Sequence, residues 1–260
     1  NDNGQTFASW NWKANGTGVS NTNGSISSTV SANTTNGFSI VSYTGTGSAE
    51  TMGHGLGVAP ACIIIKNTSD SGGVDWFVYH QSMGATKRLK LNQTVASSTS
   101  SFINNTTPSP TVFNTEGGGA SGVNANNYVA YCFAEKQGYS KFGSYVGNGN
   151  ADGTFVYTGF KPAFIMTKNS GYTGNWVMKD NKRSGTSALQ NFGQMNPNQT
   201  ENPSANLNNA ENKSSAFAVD ILSNGFKMRG VDNAGSNWDG NNYIYMAFAE
   251  APLVGTNGVT

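Results

Sequence analysis

The sequence predicts an all-β protein made of two tandem β-sandwich repeats of about 100–115 residues each, whose strand spacing fits both a jelly roll and an immunoglobulin-like sandwich. Three observations carry that prediction. Short runs rich in Val, Ile, Phe, Tyr and Trp alternate with Gly- and Asn-containing turns, while segments of helical periodicity are almost absent. Only 11% of the 260 residues are charged, against roughly 25% in an ordinary soluble domain, yet 11% are aromatic, a balance that favours a folded chain over a disordered one. The chain also repeats itself. Setting Tyr43 on Tyr145 sets Ser42, Gly45, Gly47, Pro60 and Lys66 on Ser144, Gly147, Gly149, Pro162 and Lys168.

At the N-terminus, Phe7, Trp10 and Trp12 echo the aromatic alternation of Tyr128, Tyr131 and Phe133, so residues 1–35 read as the last strand of an upstream repeat followed by a polar linker. Residues 14–36 are mostly Gly, Ser, Thr and Asn, a linker or a poorly packed edge. The first repeat spans 36–140. Its predicted strands are 39–43, 61–66 entered through Pro60, the alternating 76–80, then 88–91, 111–113 and 128–134. The second repeat spans 141–255. There, 217–222 and 226–229 flank Asn224 and Gly225, a hairpin signal, and 241–250 matches 126–135 as the closing strand. Its extra length falls in the Asn-rich stretch 191–215, which holds Pro197 and Pro203 and reads as an exposed excursion, and 256–260 is a tail. The chain opens on Asn1 rather than Met, and we expect a processed chain or part of a longer one.

A net charge of +1 without a basic run gives little counterion-release drive toward nucleic acid and no polybasic membrane patch. No stretch approaches the roughly 20 apolar residues that a spanning helix needs, so neither nucleic-acid binding nor membrane insertion is expected.

The two copies act as each other's control, because a position of the same character in both belongs to the scaffold. Trp76 matches Trp176, with Val78 and Met178 as same-face neighbours, and both are read as core. Cys62 matches Phe164 and Cys132 matches Ala247, so neither thiol is required by the repeat. Two buried free thiols are expected, with a bridge between them left open. His54 and His80 match Val156 and Asp180 and have no ligand spacing around them. Glu135 and Glu250 are the one acidic pair that recurs, no Gly-x-Ser-x-Gly elbow is present, and no enzyme is expected.

Departures from the repeat mark the candidate site. Trp238 stands in the polar loop 235–241, where the first copy has Val123. With Asn237 and Asp239 beside it, it offers an aromatic face and fixed hydrogen-bonding groups, the pairing that saccharide recognition uses. Tyr172, at the tip of 169–174, is a second such residue. Asn148, Asn150 and Asp152, followed by Gly153, match positions 1, 3, 5 and 6 of a calcium-binding loop, but Gly159 stands where the bidentate Glu belongs. A surface Ca²⁺ is a weak candidate and no other cofactor is expected. Asp232 and Asp239 around Gly235 form a looser possibility.

Several motifs together resemble an uncharacterised tandem repeat found in structural proteins of tailed, especially marine, bacteriophages. They are 53–60, 78–81, the runs 128–141 and 143–162, 180–183, 222–227 and 243–252, nearly the whole chain. In such proteins the repeat often accompanies concanavalin-like or laminin-G-like domains near the end of fibres. The resemblance implies a virion-surface, extracellular location, a non-enzymatic tail-fibre or receptor-binding role with host-surface saccharide as a partner, and other virion proteins as neighbours. It supplies no catalytic residues. By analogy it implies a homo-oligomer, a trimer, although no heptad enforces one. The alternatives are a capsid decoration or head-fibre protein and a polysaccharide-cleaving enzyme.

Overall fold

A computed structural model of the chain describes residues 9–70, 74–181, 218–230 and 235–251, and among these every regular element but one is a strand. The strands are β1 (Val19–Asn21), β2 (Ser28–Asn33), β3 (Phe38–Thr44), β4 (Glu50–Gly53), β5 (Cys62–Asn67), β6 (Phe77–His80), β7 (Lys87–Lys90), β8 (Ser98–Thr99), β9 (Val112–Thr115) and β10 (Asn127–Phe133). They continue with β11 (Ser140–Val146), β12 (Phe155–Tyr157), β13 (Phe164–Asn169), β14 (Val177–Asp180), β15 (Val219–Leu222), β16 (Gly225–Met228) and β17 (Asn242–Phe248). A single 3₁₀ turn, Gln81–Met83, follows β6.

All pairings are antiparallel, and the strands form four layers. An eight-stranded sheet, β1-β2-β3-β10-β5-β6-β7-β8, has the ribbon β4-β9 on one face. A four-stranded sheet, β11-β17-β13-β14, has the ribbon β12-β16-β15 on one face. The remaining faces of the two large sheets meet each other through Cys62, Ile64, Val78 and Phe133 on one side and Phe142, Met166, Met246 and Phe248 on the other. The cause is visible in the strands. Cys62 to Ile65 are buried without a break, as is every residue of β13, and an unbroken apolar run needs cover on both faces.

The order β3-β10-β5-β6 in one half has the order β11-β17-β13-β14 in the other, with matching register: Tyr43 lies opposite Tyr128, and Tyr145 opposite Tyr243. Each pair of rings is stacked, at 5.1 Å and 5.0 Å. Tyr43 Oη donates to Ser121 O at 3.0 Å, and Tyr145 Oη to Ser236 O at 2.6 Å.

One expectation changes on the structure and two open readings close. The stretch read as a linker or a poorly packed edge forms β1 and β2, the edge of the larger sheet. Ser, Thr and Asn dominate these strands, and β1 at the outermost position buries no residue fully. Residues 9–14 are not a strand. Instead Trp12 packs edge-on to Phe133, Phe164 and Phe248, and Trp10 lies on Phe164, closing the core between the two large sheets. Cys62 and Cys132 lie on opposite faces of one sheet, Cys132 level with Ile63, so a bridge between them is sterically impossible and both are buried free thiols. Trp176, 2% exposed, is core as expected, and Trp76 packs against the same cluster. The stretch 191–215, the tail 256–260 and Asp232 lie outside the described residues.

Candidate functional site

Two turns meet at one end of the smaller large sheet. The first follows β13, where Asn169 Oδ1 accepts from Gly171 N at 3.0 Å and Tyr172 N at 2.9 Å, an Asx turn that lifts Tyr172 out of the surface. The second precedes β17 and is closed by Asn241 N donating to Trp238 O at 3.1 Å. It can approach Gly147 only because that residue lacks a side chain, since a Cβ there would fall 2.3 Å from Trp238 O. Gly45 stands in the same relation to Val123 O.

Tyr172 and Trp238, both expected as site residues, come together with ring centroids 4.8 Å apart and planes at 86°. Tyr172 is 50% exposed and Trp238 is half-buried. Asp239 is exposed beside them. Facing the same turn from the other half, Thr94 O accepts from Gly174 N at 2.8 Å, and Ser97 N donates to Ser170 O at 3.0 Å.

Asn237 is a correction. It is fully buried, and its amide is consumed by the scaffold. Nδ2 donates to Asn148 Oδ1, Asn150 O and Gly230 O, and Oδ1 accepts from Asn148 N. It stitches the Trp238 turn to its neighbours and has no group left for a ligand.

The calcium-like loop is also used differently from the expectation. Asn148 Oδ1 accepts from Asn150 N and Asn237 Nδ2, and Asn150 Oδ1 from Asp152 N at 2.8 Å, so these oxygens close successive turns. The carboxylate of Asp152 meets Lys227 Nζ at 2.5 Å and Arg229 Nη1 at 3.4 Å. The hydrogen bond and charge of Lys227, then the charge of Arg229, hold its pKa below the usual range. Two cations therefore already occupy the electrostatic role that Ca²⁺ would fill. Among the described residues no group of three His, Cys, Asp or Glu is placed to hold a metal ion.

The histidines are connectors. His54 Nδ1 accepts from Leu56 N and its Nε2 meets Ser109 O at 3.1 Å. His80 Nδ1 accepts from Ser82 N and its Nε2 meets Tyr245 O at 3.1 Å, across the central core. Burial lowers both pKa values, that of His80 to about 4, so His80 is neutral and donates from Nε2.

Sequence reasoning passed over three residues beneath the aromatic pair. Besides holding the Tyr172 turn, Asn169 donates from Nδ2 to Asn241 Oδ1 at 3.3 Å, and Asn241 Nδ2 donates to Asp239 O at 3.1 Å. Lys168 is fully buried, and among the described residues no carboxylate lies within salt-bridge distance of it. Its Nζ donates to Asn169 O at 2.7 Å and Tyr172 O at 3.4 Å, and burial lowers its pKa to about 8. The available signal was the recurrence of Lys-Asn at 66–67 and 168–169, where Asn67 Oδ1 accepts from Ser69 N and Asp70 N in the same way.

No curated protein and no solved structure matches the chain. A family model described as a domain of unknown function, DUF7483, matches residues 1–252. With almost the whole length covered, the chain belongs to the DUF7483 family.

Proposed function

We propose that this chain is a non-enzymatic module of a virion surface, a tail-fibre or receptor-binding unit of a tailed bacteriophage that adheres to saccharide on the host envelope. The observation that carries the reading is the Tyr172–Trp238 pair, which has one ring half exposed and exists in only one of the two similar halves, the other having Val123 in place of Trp238. A pyranose offers an apolar C–H face to an aromatic ring and hydroxyls to a polar group, here the exposed carboxylate of Asp239. Perpendicular rings form a corner suited to one sugar unit, such as a chain end or branch, rather than a flat platform for consecutive units. A chain with 11% charged residues and net charge +1 suits a neutral glycan. The phage setting comes from the sequence resemblance, and with it the extracellular location, the neighbouring virion proteins and a trimeric assembly.

The test is to locate the chain on the particle by cryo-EM and to ask whether purified protein competes for adsorption to host cells. Tail density is expected, with competition that needs about tenfold more protein once Trp238→Ala removes the stacking ring. Head density without competition would make the chain a capsid decoration or head-fibre protein. Release of reducing ends from host glycan would make it a polysaccharide-cleaving enzyme. Either result overturns the proposal.

A further inference from the structure

We infer that Asn169 is a positioning residue that couples the two turns of the candidate site and holds Tyr172 and Trp238 perpendicular. The inference concerns how the pair is built, and only its relevance to a ligand rests on the saccharide reading above.

One fully buried side chain reaches both turns. Its Oδ1 takes the N–H groups of Gly171 and Tyr172, fixing where Tyr172 leaves the sheet. Its Nδ2 donates to Asn241, the residue that closes the Trp238 turn through its own N–H. Lys168 secures the same turn from below through the carbonyls of Asn169 and Tyr172. A buried lysine with no carboxylate near it among the described residues is costly, so its presence beneath an exposed loop marks a place where backbone position matters. The other half supplies the contrast. Asn67 closes the same Asx turn, but its Nδ2 lies 3.4 Å from Tyr128 Oη, a scaffold group, and reaches no second loop residue. The other half thus links its Asx turn to the Val123 turn through Tyr128 Oη, which also accepts from Val123 N at 3.0 Å, whereas Asn169 reaches Asn241 of the Trp238 turn directly.

The experiment is ¹⁹F NMR of the full chain labelled with 5-fluorotryptophan, with the Trp238 resonance assigned by W238F. Y172L removes the neighbouring ring and defines the displaced position of that resonance. N169D keeps the Oδ1 acceptor and loses the donor to Asn241. N241A cuts the same link from the half-buried side, so it decides the matter if N169D fails to fold. Both are expected to move the Trp238 resonance toward the Y172L position while Trp10, Trp12, Trp76 and Trp176 stay put, and N67D in the other half is expected to leave Trp238 unmoved. A Trp238 resonance that holds its wild-type position in N169D and N241A, while Y172L shifts it, would overturn the inference. Binding is read separately with N-acetylglucosamine trimer. If wild type binds, N241A should bind roughly fivefold more weakly, the equivalent of one lost hydrogen bond. If the trimer and host cells are both ignored, the saccharide reading fails while the spectral result still decides the coupling.

Discussion

The outer edges of β3 and β11 occupy matching places in the two halves but are finished in different ways. Along β3, the N-terminal arm adds β2, with Ser31 opposite Ile40 and Thr29 opposite Ser42, and then crosses to β4, where Ser25 and Thr51 exchange backbone-to-hydroxyl hydrogen bonds at 2.8 Å. The arm fits because the residue beneath it is small: a Cβ on Gly53 would fall 2.1 Å from Asn21 Oδ1. Among the described residues no strand is added to β11. At Phe142, the counterpart of Ile40, the N–H donates to Glu135 Oε1 at 3.0 Å and the carbonyl accepts from Gln81 Nε2 at 2.8 Å. Two side chains thus do for one residue what a strand does for a whole edge. The neighbouring β12 carries Phe155 and Tyr157, 44% and 64% exposed, where β4 has Thr51 and Gly53. A strand edge must be blocked, and the means of blocking it are free to differ between otherwise similar sheets.

The guard on β11 comes from the other half, and its anchor is His80, which precedes Gln81 and bonds Tyr245 O across the core. Acid should break this arrangement most strongly. Because the folded-state pKa of His80, about 4, lies below the ordinary value near 6.5, folding favours the neutral ring. Its contribution is therefore complete above pH 6.5 and is lost as pH falls toward 4, where the unfolded chain binds a proton that the folded chain refuses, with a total of about 3 kcal/mol. Protonation also puts a hydrogen on Nδ1, facing the Ser82 N–H that it now accepts. Urea unfolding at pH 7, 5.5 and 4 should show this loss, and His80→Gln, which cannot titrate, should flatten the dependence. Equal slopes for the two proteins would remove His80 from the junction.

The next effect in size belongs to the plug itself. Glu135→Ala deletes the acceptor for Phe142 N–H and the ion pair with Lys141 Nζ at 3.0 Å, with an expected loss of about 2 kcal/mol. It also uncovers the Phe142 N–H on the edge of β11, so sedimentation should show concentration-dependent association beyond that of the wild type. A variant that is less stable but keeps the wild-type assembly state would mean that Glu135 stabilises β11 without guarding it.

How much of this was legible depended on whether a residue's role is local. The strands around Tyr43, Ile64 and Tyr131 were found within a residue or so of their ends, because apolar runs bounded by Gly, Pro and Asn have one reading. β1 and β2 read equally as linker or edge because composition does not display their pairing, β1 on β2 and β2 on β3. The unbroken run from Cys62 to Ile65 announces cover on both faces but not that the second half supplies one of them. At the site, Trp238 and Tyr172 stood out as bulky residues at polar tips. Asn237 looked equally available, yet its side chain points inward to three oxygens brought near by folding. Asn169 escaped for the complementary reason, since its partner Asn241 is remote in sequence.

The smallest effect tests the similarity of the halves rather than their difference. Tyr43→Phe and Tyr145→Phe each remove one hydroxyl from a stacked tyrosine pair and leave a buried carbonyl, Ser121 O or Ser236 O, without its donor. Each should cost about 1 kcal/mol. Both phenols are held well above their ordinary pKa, first by burial and then by the facing tyrosine, so both stay neutral and the two losses should not vary between pH 6 and 9. The decisive quantity is the double variant. The two sites lie in separate cores, on opposite sides of the central layer, so their losses should add to within about 0.5 kcal/mol in urea unfolding. A clear excess over the sum would mean that the central core transmits strain from one half to the other, and the similar halves would then be energetically one unit.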